Sequence, residues 1–268
     1  MEISYSILDP TGNITALAET PVEPERRRQA AAAIMRLHPE VEQVGFVTPA
    51  RGESLPALQM AGGEFCGNAS MCAAALLADG AESLRLRVSG AAEPVTVTLR
   101  PAAEAGFQTA LQMPPALSLS EREFCFEGLR GRLPLVCMEG ISHLIVEESS
   151  PFFALLGDRA AAERAVRAFC AELKADGLGL LFLAGVGSER RMTPLVYIPG
   201  SGTVFWENSC ASGSAAVGMV LSARSAAPVA LRLSEPGGIL AVSSDMHAGT
   251  TRLQGSVRIV SRDERIMI

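Results

Sequence analysis

An internal duplication constrains this chain more than any other feature of its sequence. In each half a loop carrying a glutamate reaches a cysteine, passes small polar residues and enters an Ala-rich helix. The first copy reads Gly62-Gly63-Glu64-Phe65-Cys66-Gly67-Asn68-Ala69-Ser70, with its helical run over Ser70 to Ala78. The second reads Trp206-Glu207-Asn208-Ser209-Cys210-Ala211-Ser212-Gly213-Ser214, with a small-residue helix to about Arg224. A strand follows each, Leu84 to Val88 and Val229 to Leu233. Cys66 stands 23 residues before Ser89, and Cys210 stands 24 before Ser234. Four elements in matched order argue against chance. Two halves that face each other bring both cysteine loops to one cleft, a usual place for a small ligand.

The rest of the chain fits that plan. Ile3 to Leu8, Ile14 to Glu19, Val44 to Val47, Pro94 to Leu99 and Gln108 to Met113 read as strands, and Pro24 to Leu37 reads as a helix. Pro114-Pro115 stops regular structure and marks a boundary. Beyond it, Leu135 to Met138, His143 to Val146, Leu178 to Ala184, Thr193 to Ile198, Ile239 to Val242 and Leu253 to Val260 read as strands. Asp158 to Leu173 reads as a helix. The expected architecture is α+β: two pseudo-symmetric halves, each a curved sheet around a central helix, with the active site between them. The first half covers 1–115, with 254–268 returning to it, and the second covers 116–253.

Composition excludes several classes. The chain has 268 residues, 48% of them hydrophobic and 19% charged, enough for a substantial core. Its net charge of −6 and lack of a basic run argue against nucleic acid. No stretch of 18 apolar residues suggests a membrane span. The opening Met1 to Ser6 lacks the regions of a signal peptide, so a cytoplasmic location is expected. Six cysteines without C-x-x-C spacing, beside three histidines, support neither a disulfide framework nor a structural metal site.

The chemistry follows from the helix starts. Free backbone N–H groups and the helix dipole favour anions there. Either cysteine is therefore expected to have a lowered thiol pKa, and the N–H groups after it to hold a carboxylate. A thiolate on one side removes an α-proton, and a thiol on the other returns one to the opposite face. Cys72, Cys125, Cys137 and Cys170 lack this context and read as packing residues.

These motifs resemble those of the diaminopimelate epimerase family, whose wider group includes proline racemases. The residues that carry the resemblance are Gly12-Asn13, Cys66-Gly67-Asn68-Ala69-Ser70, Gly140-Ile141-Ser142-His143, Ser209-Cys210-Ala211-Ser212-Gly213 and Pro236-Gly237-Gly238. They fall in the family's order along nearly the whole chain. The resemblance implies an acid/base pair of Cys66 and Cys210, carboxylate binding at Gly67, Asn68, Ala211 and Ser212, a substrate contact from Asn13, and no cofactor or metal. It makes Glu207 the candidate for the substrate ammonium, against the alternative of a solvent-facing loop carboxylate. His143 is either a pocket residue or a structural histidine. Trp206 either stacks on a substrate ring or packs in the core.

Two departures bear on the substrate. Asn208 stands where the epimerases carry a polar reader of the distal end, and Ile141 replaces an asparagine. The Asp9 to Thr15, Gly140 to His143 and Phe205 to Cys210 stretches are more similar to histidine racemases, which implies conversion of L-histidine to D-histidine. Diaminopimelate epimerisation and a non-catalytic amino-acid-binding role on the same scaffold are the alternatives. A cysteine hydrolase would need a base that only His143 offers. The expected partner is a small amino acid, and a homodimer is left open.

Overall fold

The computed structural model describes residues 1–103 and 106–268. The chain runs through β1 (Glu2–Pro10), β2 (Thr15–Ala18), α1 (Pro24–Leu37), β3 (Gln43–Thr48), β4 (Ala57–Met60), α2 (Gly67–Leu77), β5 (Ser83–Val88), β6 (Val95–Ala102) and β7 (Gly106–Gln112). It continues through β8 (Ser118–Phe126), β9 (Leu129–Met138), β10 (Ile141–Glu147), a 3-10 helix (Pro151–Gly157), α3 (Arg159–Leu173), β11 (Leu178–Ala184) and β12 (Glu189–Ile198). Then come β13 (Thr203–Trp206), α4 (Ala211–Ser225), β14 (Val229–Glu235), β15 (Gly238–Asp245) and β16 (Thr250–Met267). This is a mixed α/β fold with one large sheet and, among the described residues, five helices. None of those helices is long and apolar enough to cross a membrane.

The duplication is visible in the pairing. Along β1-β2-β3-β4-β5-β6-β7 the senses run antiparallel, parallel, antiparallel, parallel, antiparallel, antiparallel. Along β9-β10-β11-β12-β14-β15-β16 they run in the same order. The long β16 joins the two runs. Its first part lies between β15 and β7, and its second part pairs with β1.

Helix composition matches helix environment. α1 and α3 are amphipathic. Pro24 and Glu25 start α1, while Asp158 caps α3 by accepting from the Ala161 amide at 3.0 Å. Each buries one face, α1 through Ala30, Ala33 and Ile34 and α3 through Val166 and Phe169. α2 and α4 are buried along most of their length and are built of Ala, Gly and Ser, because strands pack close on several sides. One apolar core contains residues of both α2 and α4, while separate clusters lie under α1 and α3.

β8 carries Glu121, Arg122 and Glu123 on a mostly exposed edge strand, so the sequence holds no apolar alternation to mark it. β4 and β13 are four-residue strands, too short for the sequence pattern to mark.

Candidate active site

α2 and α4 meet at their N-termini. A methyl group on Gly67 would lie 2.8 Å from the Ala211 side chain, so glycine there is what lets the two helix starts touch. Cys66 and Cys210 are the N-cap residues of these helices. Their backbones match, at φ −131°, ψ 112° and φ −129°, ψ 101°. Both line one cavity of about 140 Å³, close to the ~150 Å³ that admits a benzene ring.

Most of the expected site residues converge there. Gly67, Asn68, Glu207, Ala211 and Ser212 line the cavity beside the two cysteines. Asn68 also ties the halves together, its Nδ2 donating to the Ser209 carbonyl at 2.9 Å. Ser209 in turn donates to the Pro10 carbonyl at 3.1 Å. Glu207 is therefore a cavity carboxylate rather than a solvent-facing one, and desolvation raises its pKa to about 8.

Asn13 departs from its expected place, while His143 and Trp206 each take the packing alternative. Asn13 does not line the cavity: it is fully buried, and its Nδ2 donates to Glu42 Oε2 at 2.6 Å. His143 is likewise buried outside the lining, on β10 beside Gly179, with neither ring nitrogen hydrogen-bonded. Desolvation lowers its pKa to about 3, which keeps the ring neutral. Trp206 does not line the cavity: it stacks on Phe182 and carries the Arg159 guanidinium 4.9 Å from its ring centroid, while strand alternation turns Phe205 inward.

The thiol pKa values also run opposite to the helix-start argument. Burial pushes the Cys66 thiol up, with Glu207 and Glu64 adding to the shift against the favourable Ala69 amide. Cys210 is raised by burial first, then by Glu207 and Glu235. A helix dipole contributes about 0.3–1 kcal/mol, whereas taking a charge out of water costs several kcal/mol. These shifts favour the thiol form of both cysteines, and Cys66 Sγ donates to Gln43 Oε1 at 3.0 Å.

Other cavity groups carried no sequence signal. Glu42 enters the lining just before β3, and Gln43 as its first residue. Glu42 accepts from Asn13, from the Asn208 amide at 3.2 Å and from Asn208 Nδ2, so it clamps the second cysteine loop to the first half. Glu235 caps α4 from β14, accepting from the Cys210 amide at 2.7 Å and Ser214 Oγ at 2.6 Å. Glu235→Ala leaves both donors without an acceptor and is expected to cost about 3 kcal/mol. Urea unfolding would measure it, and a loss below about 1 kcal/mol would show that water replaces the cap.

The chain is similar to several known proteins. The histidine racemase CntK N-terminal domain family matches residues 2–264. A histidine racemase of Fusobacterium nucleatum subsp. nucleatum (strain ATCC 25586) is 30% identical over 231 residues, covering 82% of this chain and 80% of that protein. Another from Staphylococcus aureus (strain Mu50) is 26% identical, covering 90% and 88%. Among solved structures, a hydroxyproline epimerase from Agrobacterium vitis superposes with a TM-score of 0.62 at 15% identity, covering 99% of this chain and 92% of that one.

Proposed function

The chain belongs to the histidine racemase family, and from that premise we propose that it interconverts L- and D-histidine with Cys66 and Cys210 as a two-sided acid/base pair. One observation carries the proposal: two cysteines with the same N-cap geometry sit on two helix starts that meet at one cavity. The enzyme is an isomerase of the racemase and epimerase type.

In this reading the α-carboxylate lies on the free amides of the helix starts, at Gly67 and Asn68 and at Ala211 and Ser212. Glu207 takes the ammonium. That arriving positive charge works against the burial and the carboxylates that hold the thiols protonated, so one thiol releases its proton to water as the substrate binds and the thiolate forms in the complex. The thiolate accepts the α-proton as the C–H bond breaks. The opposite thiol then gives its proton to the other face of the carbanion and becomes the thiolate. Closure of the two halves, 1–115 with 254–268 against 116–253, excludes water during this exchange.

The distal wall supports a ring over a second zwitterion. Phe65, Ile141, Val196, Ile198 and Phe205 line it, and Arg28 is the one cationic side chain among the lining residues described. This mostly apolar wall favours a flat ring over a second doubly charged end. Proton NMR in D₂O should show loss of the α-proton signal of L-histidine, with LL-diaminopimelate unchanged. Exchange of diaminopimelate instead, or of neither, would overturn the substrate.

A further inference from the structure

Glu64 has no role in the reaction described above, yet it is placed as a ligand-binding group. It lines the cavity, and its Oε2 is buried with no hydrogen-bond partner. The backbone beneath it is pinned: Ser89 Oγ donates to the Glu64 carbonyl at 2.9 Å and accepts from the Met60 amide at 2.9 Å. A side chain on Gly62 would collide with both the Glu64 carboxyl and Ile198 Cγ2, so the bare glycine makes room for the acid against the apolar wall. Burial raises the Glu64 pKa even though the Glu64 and Gly62 backbone groups work to lower it.

We infer that Glu64 determines side-chain specificity by accepting a hydrogen bond from a ring N–H of the substrate. The inference rests on the racemase reading, which has already placed the other polar groups of the amino acid. The α-carboxylate has the helix starts, and the ammonium has Glu207. What remains is a flat side chain among Phe65, Ile198 and Phe205, with one buried acceptor in its wall. That combination selects a small nitrogen heteroaromatic ring with an N–H, neutral or cationic, over an aliphatic chain or a ring without a donor.

The test compares L-histidine with L-3-(2-thienyl)alanine, which has a five-membered ring and no N–H. Calorimetric Kd values are measured for both ligands with the wild-type protein and with Glu64→Gln, alongside α-proton exchange of histidine. The expected result is a weakening of histidine binding by about tenfold or more, with thienylalanine nearly unchanged. KM should rise while kcat changes little. Equal loss for both ligands would place Glu64 at the amino-acid head or in the framework and overturn the inference, as would no loss for either. Exchange by the wild type reports separately on the racemase reading: its absence would sink that reading even if the ratio of the two Kd values moved as expected.

Discussion

Replacing Cys66 or Cys210 with serine should abolish histidine racemisation, by about 10³-fold or more, and leave the protein folded. Serine keeps the shape of the side chain, and at position 66 its hydroxyl can still donate to Gln43 Oε1, which the thiol reaches at 3.0 Å. What it lacks is an accessible anion. The already raised thiols lie far closer to ionisation than any alcohol. The two variants should also differ in kind. Each keeps one working thiol, so each should exchange the α-proton of one enantiomer with D₂O more readily than that of the other. NMR of separate L- and D-histidine samples measures both rates. Serine variants that racemise at near wild-type rates with an unchanged melting temperature would eliminate the two-thiol mechanism.

The second large effect is expected at Gly90. This residue has φ +68°, and a Cβ on it would overlap the backbone at Glu64 and Phe65, immediately before Cys66. Gly140, in the turn between β9 and β10, packs on the same spot. Gly12 and Gly237 make the corresponding contact beside Asn208, before Cys210. Gly90→Ala therefore adds left-handed strain of about 1–3 kcal/mol to a backbone clash of about 1–3 kcal/mol. A total loss of about 3–4 kcal/mol is expected, together with a fall in kcat as the Cys66 loop shifts. Gly63→Ala is the control. It has φ +84° with open space around the added methyl, so it carries strain without collision. Equal urea midpoints for the two variants would show that the contact of Gly90 with the Glu64–Phe65 backbone is soft.

Much of this was legible in the sequence, for identifiable reasons. Helices α1 and α3 announce themselves because their starts carry local signals, Pro24 with Glu25 and Asp158, and because only one face is buried. The cysteine loops were legible because duplication turned a weak motif into a pair. Glu42, Gln43 and Glu235 were not legible. Gln43 and Glu235 sit on strands 23 and 25 residues from the cysteines they serve, Glu42 reaches Asn208 from 166 residues away, and only the strand pairing brings them there. Asn13 was expected at the substrate and His143 was one of two alternatives there, but neither lines the cavity, and Asn13 holds Glu42. The direction of the thiol pKa shift was missed because a helix start is a local feature, whereas burial and the facing carboxylates arise only on assembly of the whole fold.

The strand β16 bears on how the protein comes into being. Its second part pairs with β1 in a register that sets Glu2 against Met267, and closing a loop of that length costs about 5 kcal/mol of chain entropy. During synthesis the first half emerges early, yet β1 keeps one edge unpaired until the last strand leaves the ribosome. The nascent chain thus spends most of its translation time with an adhesive strand edge on display. Folding should be slow and late, paced by non-local pairing rather than by its four α-helices. A slow refolding phase that is absent from a circular permutant placing β16 directly before β1 would be the kinetic mark of that topology.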